Sequence, residues 1–290
     1  MIKTGKIKFT LFDFFFLSLL LFLFAAFLWK VHSYLMYDWQ WGKIPPRFFY
    51  VEKGSLHPGV FIQGIFYTIK LSVWSIIFAT ILGTVIGVLR SSNKLFRNLV
   101  SITFVEVHRN IPPIVLIFIS YFFIGDQLFN LLHIDSIMRS MGGNFRSFAE
   151  FIFAPLPIMS SFFAGVLALT VYEAAYISEI VKSGIMSVPR NQVESAYALG
   201  MNKYKVIRYV ILPQAFRKIL PPLASQFVST IKDSAIVSVI AVPELTFQGL
   251  ELMSATFLTM EIWIVITLLY FILTFTLSKI ITFWEAKYTF

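Results

Sequence analysis

The sequence contains no cysteine, which excludes a disulfide framework and any thiolate metal site. Histidine is scarce too, with four in the whole chain and none in an H-E-x-x-H or comparable ligand spacing, so no metal site is expected. There is no G-x-x-x-x-G-K-[ST] phosphate loop, so the chain is not itself a P-loop ATPase. Charge is the largest deficit. Only 13% of the 290 residues are Asp, Glu, Lys or Arg against 58% hydrophobic, too little polar side chain to cover a water-soluble globule of that size. The chain therefore belongs in lipid. Its net charge of +9 raises nucleic acid as a partner, but the basic residues lie between apolar runs and not on one basic domain, so no nucleic-acid partner is expected. The 33 phenylalanines follow no polar-interleaved pattern and read as lipid-facing bulk.

What is present is a series of long apolar runs. Lys3, Lys6 and Lys8 precede a first run at 11–29, broken only by Asp13 and close to the roughly 20 residues that span hydrocarbon. Bulky residues follow it where a cleavage site would need small ones, so it reads as a retained anchor. Residues 31–59 mix Tyr34, Trp39, Trp41 and Phe48 with Pro45, Pro46 and Gly54, as an interfacial outer loop should. Further spans are expected at 61–89, from Pro112 and Pro113 to about residue 124 with Asn110 as the preceding cap, and at 162–181, 220–241 and 262–283. Lys70 can snorkel from the second span. Residues 125–160, rich in Gly, Asp and Ser, read as a second outer loop, and Pro243 ends the fifth span. In this layout 15 of the 24 Lys and Arg residues fall in cytoplasmic segments and six in outer loops, which puts both termini inside. The expectation is an all-α membrane protein with six transmembrane helices.

One polar island interrupts the C-terminal half: SVPRNQVESAYALGMNKYKVIRYVILP, residues 187–213. Ser187 with Pro189 predicts a helix start, Gly200 a left-handed stop, Asn202 a second cap and Pro213 a second stop. The spacing resembles the EAA loop of bacterial ATP-binding-cassette importers. Glu194, Ala196 and Gly200 stand at its E-x-A-x-x-x-G positions, and Val210, Leu212 and Pro213 at its distal I-x-L-P. Ser195 and Val210 depart from the commonest residues by small changes. The resemblance implies that the island is the coupling element that docks on an ATPase subunit, and that the chain is a transporter's membrane subunit.

Three more segments are similar to polar amino acid permeases of that family: Phe104, Val105, Glu106, Arg109, Asn110 and Pro112; the run TVYEAAYISEIVKSGI; and Lys232, Asp233, Ser234, Ser238, Val239 and Ile240. The resemblance covers about 61–285, a five-helix importer core, leaving residues 1–60 as an N-terminal anchor and outer loop. It implies a multi-pass protein of the bacterial inner membrane, working with a second permease subunit (identical or related), cytoplasmic ATPase subunits that hold the ATP and Mg, and an extracytoplasmic amino-acid-binding protein. No cofactor is expected on this chain.

Charges within the bilayer usually face a partner or a wet path, because each costs roughly 2.5 to 3.5 kcal/mol on insertion scales. Glu173, Lys232 and Asp233 are such charges. Gln226, Ser229, Thr230 and Asp233 fall at i, i+3, i+4 and i+7, one helical face. Together these six residues are the candidate wall of a substrate path, offering acceptors to an ammonium and donors to a carboxylate. The competing role is structural: Lys232 pairs with Asp233 of the partner subunit or with Glu173 and only fixes packing. Arg109 is a candidate to hold a lipid phosphate or to order a helix end, and His108 and His133 read as surface histidines. A proton- or sodium-driven carrier would also fit intramembrane acids but normally shows repeated halves and broken helices, and neither is visible. A non-transporting scaffold would leave the polar face unexplained.

Overall fold

The structure is a computed structural model, and it describes residues 10–34, 37–92, 94–140 and 142–288. Lys3, Lys6 and Lys8 lie outside the described residues. The chain divides into two compact units, Met1–Gly42 and Lys43–Phe290.

The first unit is built on helix α1, Leu11–Tyr34. Asp13, the charge that breaks the first apolar run, belongs to its cap. The Thr10 amide and hydroxyl both donate to Asp13 Oδ2 at 2.7 Å, and the Asp13 amide reaches back to Thr10 Oγ1 at 3.4 Å. This reciprocal pairing satisfies a first-turn donor, so the carboxylate sits where the helix dipole favours it. Phe, Leu and Trp side chains stand exposed on every side of α1, as on a helix whose surroundings are lipid.

The second unit opens with a β-hairpin inside the segment read as an outer loop: β1, Phe49–Glu52, pairs antiparallel with β2, Ser55–Pro58. Lys53 and Gly54 both have positive φ, 49° and 79°, the pattern of a two-residue turn matched to strand twist. Helix α2, Val60–Arg90, and helix α8, Leu156–Met186, then form the spine. Gly83 lies opposite Ile177, and Gly87 opposite Val181. A Cβ on either glycine would stand 2.7 Å from the facing Cβ, so no side chain fits at either position. Both sequence numbers rise together along the contact, so the two helices run parallel, packed through Ala79, Ala174 and Ser178 as well. Small residues permit this approach, which is how helices associate where lipid removes the hydrophobic drive.

Between α2 and α8 the structure departs from the expected loops. Residues after Arg90 form helix α3, Leu95–Asn110. Asn110 is its last residue and not a cap for the next helix; its side-chain amide donates to the Glu106 carbonyl at 2.7 Å. The reason is Pro112, which holds Ile111 extended (φ −87°, ψ 131°), so Pro112 takes the cap position and Pro113 the first turn of helix α4, Pro113–Ile119. A π-turn, Ser120–Gly125, leads to α5, Asp126–Leu131. Residues 125–160, read as a loop, also contain α6, Ile134–Ser140, and α7, Gly143–Ile152. In α7, Phe145, Phe148 and Phe151 recur every three residues and are all exposed, an amphipathic spacing masked by the Gly and Ser around it.

The C-terminal half holds α9, Arg190–Ala198, and α10, Lys203–Val206, then a π-turn, Ile207–Ile211, and α11, Leu212–Asp233, which continues as a 3-10 turn, Ser234–Ile240. Pro213 does not stop a helix as expected. It lies in the first turn of α11, where its missing N–H costs nothing. The rod ends at left-handed Ala241, just before Pro243, as expected. An unexpected helix follows, α12, Leu245–Thr256, bent by 48° from the rod, and then α13, Thr259–Tyr288. Among the described residues, four helical stretches have the length and apolarity of a span, or five if the bent pair counts as one; the apolar part of α1 that meets the same test, Leu11–Phe27, is shorter. The molecule is thus all-helical across the membrane, with four or five of the six expected spans meeting these criteria among the described residues.

Glu244 holds the bend. Its carboxylate accepts from the amides of Phe247 and Thr246 at 2.7 and 2.9 Å and from the Tyr270 hydroxyl at 2.7 Å, while the Leu245 amide donates to Thr68 Oγ1 at 3.1 Å. The start of α12 is thereby tied to α13 and α2 with its orphan donors satisfied. Glu244→Ala is expected to destabilise the protein by about 2–4 kcal/mol because buried donors lose their acceptor, and Tyr270→Phe by about 1 kcal/mol. Thermal unfolding of the purified protein checks this, with the larger drop in midpoint for Glu244→Ala; equal midpoints would contradict the cap.

Candidate functional site

The polar island folds as two helices around a corner. Pro189 caps α9, while Ser187, expected to start it, instead closes α8 with its hydroxyl on the Gly184 carbonyl at 2.7 Å. At the far end the Gly200 amide donates to the Tyr197 carbonyl and the Met201 amide to the Ala196 carbonyl, at 2.9 and 3.1 Å. Gly200 has φ +79°, the left-handed residue this double hydrogen bond requires. Asn202 then caps α10 by accepting the Lys205 amide at 3.0 Å. Ala196 is buried, whereas Glu194, Tyr197, Leu199 and Tyr204 are exposed. Leu199 is 84% exposed and Tyr204 73%, more apolar surface than a solvated corner needs. Leu212 and Pro213 are exposed at the start of α11, beyond the corner itself.

Two hydrogen bonds fasten this corner to α11. Gln214 Nε2 donates to Gln192 Oε1 at 2.7 Å, and Lys218 Nζ to the Ser187 carbonyl at 3.3 Å. On the other side, Glu179 near the end of α8 takes Arg90 from α2, and Arg109 from α3 at 3.5 Å. Arg109 also lies over the Tyr176 ring at 5.3 Å. Its partner is therefore a carboxylate within the chain, and the pair orders three helix ends together. Neither fastening has a local signal in the sequence; 89 residues separate Arg90 from Glu179, and only the fold brings them together.

Deeper along α8 lies Glu173, fully buried. Its Oε2 accepts from Gln226 Nε2 at 2.5 Å, which joins α8 to the polar face of α11. Its Oε1 accepts from no donor among the described residues, while the Asp233 carboxyl and the Thr230 hydroxyl of α11 face the same group. The four residues of that face do not share one environment. Thr230 is turned fully inward, its hydroxyl on the Gln226 carbonyl at 2.9 Å, whereas Gln226, Ser229 and Asp233 are half-buried. Lys232 points outward and makes no ion pair with Glu173 or Asp233 among the described residues. Tyr172 and Tyr176 stand one turn apart on α8 with their hydroxyls 3.2 Å from each other, continuing the polar strip from Glu173 toward Glu179. The arrangement is a line of acceptors and hydroxyls running from mid-helix to the charged end, next to a helix that presents an amide, a hydroxyl and a carboxylate.

Known proteins resemble this chain in sequence and in fold. Residues 79–288 match the family described as the binding-protein-dependent transport system inner membrane component. The chain is 31% identical over 255 residues to the glutamine transport system permease protein GlnP of Escherichia coli, covering 87% of this chain and 98% of that one. It is 30% identical over 250 residues to the glutamate/aspartate import permease protein GltJ of the same organism, covering 86% and 95%. A crystal structure of an amino acid ABC transporter with histidines superposes with a TM-score of 0.63 at 32% identity, over 79% of this chain and 94% of that one. The inward-facing MetNI methionine ABC transporter, at 17% identity and a TM-score of 0.53, shares the fold. The likeness is to importer permeases and not to secondary carriers, and ATP hydrolysis in these systems belongs to separate subunits. The chain belongs to the family of binding-protein-dependent ABC importer inner-membrane components.

Proposed function

We propose that this chain is the permease subunit of an ATP-driven importer of polar amino acids in a bacterial inner membrane. It pairs with a second permease subunit, identical or related, receives substrate from an extracytoplasmic amino-acid-binding protein and is driven by two cytoplasmic ATPase subunits that hold the ATP and Mg. The observation that carries this is the corner at Gly200: a short helix ending in a left-handed glycine, with Tyr197, Leu199 and Tyr204 exposed beside it. Such apolar exposure on a polar island fits insertion into a cleft of a partner. Glu194, Ala196 and Gly200 shape the inserted helix, and Leu212 and Pro213 begin the helix that receives its movement. Alternating access is a two-state equilibrium that the ATPases bias through this contact. Glu173, Gln226, Ser229, Thr230, Lys232 and Asp233 form the path wall, with Thr230 acting from behind through Gln226. Both termini and the corner face the cytoplasm, and 1–60 is an anchor added to the 61–285 core.

A side chain on left-handed Gly200 is strained, so Gly200→Val is expected to leave membrane insertion intact while uptake falls and ATP hydrolysis loses its dependence on binding protein. Wild-type uptake and stimulation in this variant would contradict the coupling role. Because the chain has no cysteine, single cysteines at Ser55, Ser140 and Ser195 report topology directly. An impermeant thiol reagent on intact cells is expected to label the first two and not the third; the reverse pattern overturns the orientation. Within the path, cysteines at Gln226, Ser229 and Asp233 are expected to react with small water-soluble reagents, whereas one at Thr230 stays protected by its burial. Equal protection of all four would remove α11 from the path.

A further inference from the structure

Helix α11 carries two consecutive prolines, Pro221 and Pro222, in its interior. Neither has an N–H, so the carbonyls of Arg217 and Lys218, four residues back, lose their helical partners and the rod is weakest here. The two halves on either side of this defect are held differently. Below it, the 212–219 half is clamped to the end of α8 and to α9. Gly184 admits Ile219 so closely that a Cβ there would stand 2.3 Å from Ile219 Cγ1, and Gln214–Gln192 and Lys218–Ser187 add two directional bonds. Above it, the half that carries the polar face meets α8 through Leu223 and through polar contacts on Glu173, which accepts from Gln226 and faces Thr230 and Asp233; beyond that half, Val237 of the 3-10 turn is seated against Gly165 of α8. Beside the defect is open space, a cleft of ≈ 630 Å³ bounded by Glu179, Ser183 and Ser187 on α8 and by Lys218, Pro221 and Pro222 on α11.

We propose that Pro221–Pro222 is a hinge: the 212–219 half of α11 moves as one body with α9 and the end of α8, while the 223–233 half swings against α8, releasing Gln226 from Glu173 and opening the polar face. This rests on the reading that the polar face lines the path. It makes Gln192, Gln214 and Lys218 positioning residues that keep the lower half with the coupling corner. The Asp233 carboxyl and the Thr230 hydroxyl, both on the 223–233 half, face the same Glu173 carboxyl, so the swing releases a cluster of polar contacts and not the Gln226 bond alone.

The absence of native cysteine makes the test clean. Spin labels are placed on the assembled importer in one pair at Met186→Cys and Ser225→Cys, across the hinge, and in another at Met186→Cys and Arg217→Cys, below it. All three positions are exposed. The distance from 186 to 225 is expected to shift between the nucleotide-free and ATP-trapped states, while that from 186 to 217 stays constant. In the double variant Pro221→Ala, Pro222→Ala the restored N–H groups stiffen the helix. The 186–225 shift should then shrink, the melting temperature should hold or rise, and uptake should fall about tenfold. A 186–225 distance that is the same in both states, or wild-type uptake in the double alanine variant, would overturn the hinge. The distance measurement assumes nothing about substrate. If residues on the face prove unreactive to thiol reagents while 225 still moves, the path assignment fails and the hinge stands.

Discussion

The contact between α2 and α8 is the constraint on which the other placements depend. Gly83 and Gly87 let α2 lie against Ile177 and Val181 so tightly that even a methyl group would force the two helices apart. In lipid, apolar helices gain little from hiding apolar surface, so close packing and polar contacts must hold them. With α2 and α8 locked in parallel register, Arg90 at the end of α2 arrives beside Glu179, and Arg109 of α3 joins the same carboxylate. One turn and a half up α8, Glu173 is presented to α11. Loosening the glycine seam would therefore misplace both acids at once.

The acids of this protein are kept by three different chemistries, and the differences sort their roles. Glu179, partly exposed near a helix end, is paired with two guanidinium groups, and such a cluster orders elements more than it adds stability. Glu244 is buried but saturated, with two backbone amides and a tyrosine hydroxyl, as befits a fixed joint. Glu173 alone among these three is buried without a cation or a backbone amide: Gln226 donates to one oxygen, and the Thr230 hydroxyl and the Asp233 carboxyl of α11 face the same group. A buried acid met only by neutral groups and a second acid is held less firmly than one saturated by fixed donors, and is better placed to change partners. Of these three, the acid that sits between α8 and α11 is thus the one met by side chains of a single neighbouring helix, where a moving element would need it.

What could be read from the sequence was what local chemistry decides. The Gly200 stop and the Asn202 cap are settled by residues within one turn, and both appear as expected. Long apolar runs likewise announce α2, α8 and α13, although α2 and α8 start before the apolar part because Gly59 and Pro155 cap them earlier. Composition misled where it stood in for pattern. Residues 125–160 looked like a loop from their Gly, Asp and Ser, yet the phenylalanine spacing of α7 was there to be counted. Pro213 was read as a stop because a proline ends a helix from within, whereas the π-turn before it makes it a beginning. Glu244, whose partner Tyr270 lies 26 residues away, and the inward turn of Thr230, which depends on where α8 lies, have no local signal at all.

The central claim is that this fold is the membrane half of an ATP-driven importer and not a carrier driven by an ion gradient. The most direct test reconstitutes the chain with its ATPase subunits in liposomes, supplies binding protein and radiolabelled polar amino acids outside, and compares ATP inside with imposed proton or sodium gradients. Accumulation that requires internal ATP and external binding protein, and is indifferent to either gradient, is the expected result. Accumulation driven by a gradient without ATP would contradict it.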